Sequence, residues 1–348
     1  MRDLSFRPCD LPPGVTNLYE ATWRPEDARF AEAYGIPMTT SVVPKADPRL
    51  PLVVQFPLTV ALSFALSTLG RMVISQVSQG ELESLTRSQD TWEEVALLAG
   101  WRILELAIGW FGKLNSVEAG AVNILAHGPA FYLLVAFYNL APTTAFFSLF
   151  VDALSIALPF QLVRPLSSTN ELSAKTNRDV LDVSTQLLTM VLSTGIYTVT
   201  LVLALRFFMP QILVLYFNGL PSLEPAYSAS YTHVLPATVL FGLAASTFIF
   251  VPFARTGKAK EDFNIEQFDP VSASLGQTVW WNLWGYTAKA KVGIRRTTAA
   301  VILTGVSTYF ACTRTMDGIE SSGAIAYAGV WATATLFAGV ALGLVGGD

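Results

Sequence analysis

The chain has 348 residues, of which 52% are apolar and only 14% charged, and its mean hydropathy is +0.46. Soluble domains carry about a quarter charged residues, so the composition excludes that class and points to a membrane protein, in which the net charge of -4 matters less than where Lys and Arg fall. Two cysteines, Cys9 and Cys312, and two histidines, His127 and His233, exclude a disulfide framework and a zinc site.

Residues 1–50 are rich in proline and mixed charge and read as a mostly irregular cytosolic arm, with one short helix expected from Pro25 to Tyr34. The first twenty residues lack the apolar core of a secretory signal peptide, so the first span is expected to direct insertion. Residues 51–348 read as an all-α, polytopic transmembrane bundle of about eight helices. The first span covers about 52–75. The second covers about 91–111, opened by Asp90 as its cap, closed by Gly112, and carrying Arg102 and Glu105 in its apolar body.

The stretch 121–163 decides the topology. As one helix it would be about 64 Å long, roughly twice the hydrocarbon thickness of a bilayer. Asn139 suits a helix end and Pro142 a first helical turn, so the stretch reads as two spans, 121–140 and 143–163. Charge supports the split. With eight spans and both termini cytosolic, seventeen Lys and Arg lie inside against three outside, namely Arg71, Arg87 and Arg314. With one span there, the two sides would hold eight and twelve, against the positive-inside rule.

The fifth span is expected over 183–209, ending at Pro210, and the following PQILVLYFNGLP reads as a half-helix in the interface. Span six covers about 233–253, span seven 297–313 and span eight 321–345. The loop before span seven contains SASLGQTVWWNLWGYTAKAKVGIRR. Its Trp280, Trp281, Trp284 and Tyr286 precede Lys289, Lys291, Arg295 and Arg296, the pattern of a cytosolic interfacial helix over about 272–291 that touches anionic lipid. An ordinary aromatic belt with basic anchors explains the same residues.

Arg102, Glu105 and Asp152 are the ionisable residues deepest in the spans. A lone charge at that depth costs on the order of 3 kcal/mol even on insertion scales, so a cluster is expected in which Arg102 sits between the two carboxylates. Such a cluster either fixes packing or moves protons. In span eight, Gly339, Gly343 and Gly347 recur at four-residue intervals, a spacing that lets helices approach closely, within the chain or between copies in a homo-oligomer. Soluble-enzyme signatures fail: ARTGKAK lacks the upstream glycine of a phosphate loop, and neither G-x-S-x-G nor H-E-x-x-H occurs. His127 and His233 read as interfacial polar residues at span starts.

In LGQTVWWNLWGYTAKAKVGIRRT and TRSQDTWEEVALLAGWRILELAIGWFG the chain resembles an uncharacterised family of multi-span membrane proteins from filamentous fungi. The resemblance implies a fungal host and brings no activity, cofactor or site residue. The sequence therefore leads to a non-enzymatic protein of an internal membrane such as the endoplasmic reticulum, with lipids as partners, no nucleic acid and no cofactor. A transporter of protons or small solutes is the second expectation, and an intramembrane lipid-modifying enzyme the third.

Overall fold

The computed structural model describes residues 52–163, 183–250, 274–278 and 288–345. The chain divides between Leu50 and Pro51 into two units, and every described residue lies in the second. The arm and most of the proposed interfacial helix lie outside the described residues.

The described residues are helical, with two isolated β-bridges and no strand. The helices are α1 (Leu52–Val77), α2 (Glu81–Leu85), α3 (Trp92–Phe111), α4 (Ser116–Phe137), α5 (Pro142–Val163), α6 (Val183–Leu203), α7 (Met209–Tyr216), α8 (Glu224–Tyr227), α9 (Tyr231–Ile249), α10 (Ala288–Phe310) and α11 (Ser321–Val345). Six are long and apolar enough to cross a membrane: α1, α4, α5, the α6–α7 run, α9 and α11. They mark the chain as membrane-embedded. α3 and α10 are outside that set: α3 carries Glu93, Glu94, Arg102 and Glu105, and α10 is less apolar, with Arg295, Arg296 and several threonines along it.

Local chemistry sets the helix ends. The cap of α3 is Thr91 rather than Asp90: its extended backbone lets the hydroxyl accept from the Glu94 amide at 3.4 Å, while Asp90 accepts from Ser88. α4 begins at Ser116, five residues before the expected start, because the Glu118 carboxylate accepts from the Asn115 amide at 2.9 Å and closes the first turn. It ends where Asn139 adopts φ +57°, and Pro142 opens α5, so 121–163 is two helices joined by a tight turn.

The half-helix expected after Pro210 is not separate. α6 continues through a π-turn at Ala204–Phe208 into α7, giving one run over Ser184–Tyr216. The π-turn lies just before Pro210, with Met209 N donating to Ala204 O, and Arg206 Nε donates to Ala229 O at 2.7 Å. α10 starts nine residues earlier than the seventh span was expected to, and it ends in a second π-turn, Ala311–Thr315.

α4 is the most buried of the six apolar runs and α1 the most exposed. α4 packs on α5, α9 and α10; α6 packs on α9 and α11, and α10 on α11. Close approach needs small residues. Gly242 of α9 lies against the α6 backbone, where an added Cβ would stand 2.7 Å from Thr194 N, and Ser193 Oγ donates to Gly242 O at 2.8 Å. In the centre, Trp331 is 1% exposed and packs against Phe241 with centroids 4.5 Å apart and against Tyr132 at 5.5 Å. α3 approaches its neighbours less closely, and long polar side chains span the gap.

Three connections meet at one end. Arg87 N donates to Thr315 O at 2.9 Å, Asn218 N to Gly318 O at 2.7 Å and Glu320 N to Tyr216 O at 3.0 Å. Glu94 there takes Arg87 at 3.2 Å and Arg314 at 3.6 Å.

Candidate functional site: a buried charged centre and a side groove

Arg102 and Glu105 are three residues apart on α3 and therefore share a face. Arg102 Nη1 lies 3.4 Å from Glu105 Oε2, and the two side chains are 14% and 6% exposed. The third partner is His127, whose Nε2 stands 3.2 Å from Glu105 Oε2 and 3.5 Å from Arg102 Nη1. Two serines complete the shell. Ser307 Oγ of α10 donates to Glu105 Oε1 at 2.6 Å and accepts from Trp101 Nε1 at 3.0 Å. Ser155 Oγ of α5 accepts from Arg102 Nη2 at 2.8 Å and donates to the Asp152 carbonyl at 2.8 Å.

The expected salt bridge from Arg102 to Asp152 is not made. Asp152 is buried, but it reaches the centre only through its backbone carbonyl, one turn before Ser155, and its carboxylate has no hydrogen bond or ion pair among the described residues. His127 was expected at a span start. Because α4 begins at Ser116, it falls mid-helix and inside the cluster. The capping signature Asn115-Ser116-Val117-Glu118 was the sequence signal that could have placed it there. Nothing in the sequence marked Ser155 or Ser307, since serines recur throughout the spans.

His127 and Glu105 touch at 3.2 Å, and Arg102 lies beside both, so a histidine, a carboxylate and a guanidinium meet in one hydrogen-bonded cluster inside the helices. A hydrolytic triad is a different arrangement, in which the histidine touches the serine it activates. Here the order is Ser307–Glu105–His127, with the carboxylate in the middle, and both serines already donate to oxygen acceptors. Among the described residues no group of histidine, cysteine and carboxylates could hold a metal.

On the other side of α4 lies an open groove of about 680 Å³. Its walls are Phe131, Tyr132 and Val135 of α4, Phe146 and Leu149 of α5 and Leu240 of α9. The deep end is closed where Phe241 packs on Gly128, against which an added Cβ would stand 2.6 Å from the ring. The other end is polar, with Asn139, Glu224, Ser228 and His233. His233 of α9 is thus a rim residue, exposed and one turn inside the Ser230 cap.

Of the basic and aromatic residues expected at a lipid surface, Trp280, Trp281, Trp284 and Tyr286 lie outside the described residues, as do the side chains of Lys289 and Lys291. Arg295 is exposed on α10. Arg296 instead turns inward: its Nη1 lies 3.1 Å from Glu118 Oε1 and 2.7 Å from Phe248 O, and its guanidinium sits over the Phe248 ring. The acid it pairs with, Glu118 at the start of α4, is itself buried, so the hydrogen bond is charge-assisted on both sides. Gly339 meets Thr297 of α10 within the chain, whereas Gly343 faces open space and Gly347 lies outside the described residues.

No family model, curated protein or solved structure matches the chain.

Proposed function

We propose that the chain is an eight-span, non-enzymatic protein of an internal membrane, with both termini cytosolic, that holds a lipid-like amphiphile in the groove between α4, α5 and α9. The groove carries this reading. It has the volume of a drug-sized or acyl-chain ligand, apolar walls along its depth and polar groups at one end only, which matches a molecule with one headgroup and a long tail. The aromatic and basic segment from Trp280 to Arg295 is proposed as a second lipid contact, on the cytosolic side.

Eight spans require α3 and α10 to cross as well. The meeting of the α2–α3, α7–α8 and α10–α11 connections at one end supports this, because an even number of crossings then separates each connection from the next. In a cysteine-free background, Thr143→Cys and Ser173→Cys are expected to react with impermeant reagents from opposite sides. Labelling from the same side would end the eight-span reading.

The lipid reading is tested with the full chain in nanodiscs carrying a phospholipid with a photoreactive acyl chain. Crosslinks are expected to concentrate on Phe131, Val135 and Leu240, and Ala237→Trp, which fills the groove, is expected to reduce them about tenfold. Crosslinks spread evenly over all exposed helix faces and indifferent to Ala237→Trp would sink it.

Proton or small-solute transport is the second reading, and the Arg102–Glu105–His127 contact favours it. Purified protein in liposomes would then show a pH-dependent flux that Glu105→Gln abolishes. The absence of flux in the native protein would remove this reading.

A further inference from the structure

Asn123 lies on α4 one turn before His127 and is 2% exposed. A carboxamide offers two donor hydrogens and an acceptor oxygen, and buried ones are nearly always bonded. Here both Nδ2 and Oδ1 are buried without a partner among the described residues. Beside them lies an interior cavity of about 30 Å³. Its lining joins Asn123 to Glu105, and the rest is apolar, including Ile108, Leu114, Phe160 and Phe248. The cavity occupies the gap that α3 leaves by standing off from α4 and α10.

Glu105 has a matching opening. A carboxylate accepts about four hydrogen bonds. Arg102 and His127 use Oε2 and Ser307 uses Oε1, so one acceptor site remains. A buried water needs on the order of 10–15 Å³ of such space and two to four polar partners, whereas cavities that stay empty are apolar throughout. This one has the volume and two unsatisfied polar groups. We infer that the cavity between Asn123 and Glu105 is a built hydration site holding one or two water molecules, which bridge the Asn123 amide to the Glu105 carboxylate. The charged centre is thereby extended by exchangeable water toward the Glu118 end of α4, independently of what occupies the groove.

The inference is tested by X-ray radiolytic labelling of the full chain in nanodiscs in ¹⁸O water. Bound water oxidises the side chains around it, so Phe160 and Phe248, each 2% exposed, are expected to take up ¹⁸O several-fold more than Phe137, which is 1% exposed and does not line the cavity. Asn123→Leu, close in shape and unable to hold water, is expected to bring Phe160 and Phe248 down to the Phe137 level and to lower the Tm. Labelling of Phe160 and Phe248 no greater than that of Phe137 would overturn the inference. So would a raised Tm in Asn123→Leu, which would mean that a dry, unpartnered amide had been relieved. If Asn123→Leu does not fold, the comparison within the native chain decides alone.

Discussion

The two faces of α4 solve opposite problems. Toward α3 it presents Asn123 and His127 to a centre in which the ionised groups are bonded on nearly every side; toward α5 and α9 it presents Gly128, Phe131, Tyr132 and Val135 to a groove left open. In a bilayer an unbonded charge is expensive and an unfilled apolar groove is cheap, because lipid fills it. The closed region is therefore where substitution should cost stability, and the open region is where it should cost binding alone.

The largest expected effect is on the closed side. Arg102→Ala strips Glu105 of its cation at 6% exposure and should cost about 3–5 kcal/mol, measured by unfolding in mixed micelles. The double variant Arg102→Met with Glu105→Leu should recover most of that loss, since an apolar pair leaves no orphaned charge. If Arg102→Ala proves neutral, the centre does not hold α3 to the rest of the chain.

Next in size is Gly242→Ala, which tests the packing behind the groove. The added methyl would stand 2.7 Å from Thr194 N, a backbone atom that cannot move aside, so the expected cost is about 1–3 kcal/mol. The same measurement checks it, and loss of lipid crosslinking in parallel would tie the groove's shape to the α6–α9 contact.

Ala237→Trp should change stability by less than about 1 kcal/mol while removing the groove crosslinks, because it fills open space rather than packed core. The smallest effect is expected at Glu94→Gln. Its partners Arg87 and Arg314 are 43% and 44% exposed, so the pair contributes less than about 1 kcal/mol and less still at high salt.

Hydropathy and two residues, Asn139 and Pro142, made the all-α class and the split of 121–163 legible, because a bilayer fixes the length of a span and a left-handed turn fixes its end. The same signal misjudged starts. The apolar run begins at Ala121, but the helix begins at Ser116, where Glu118 is used by its own helix cap and by Arg296. That error put His127 at an interface and hid it from Arg102 and Glu105. Residue spacing on one helix could show that Arg102 faces Glu105. It could not show which residue of another helix stands opposite, and so it chose Asp152 by charge where the fold supplies His127 by position. The groove was not legible at all, since an apolar residue reads the same whether it faces lipid, a neighbour or a cleft.

The most direct measurement of the central claim is cryo-electron microscopy of the full chain in nanodiscs whose phospholipid is brominated along one acyl chain. Bromine density is expected between Leu149 of α5 and Leu240 of α9, with the headgroup beside Asn139 and Glu224. Bromine confined to the outer lipid ring, with the groove closed by its own side chains, would contradict it.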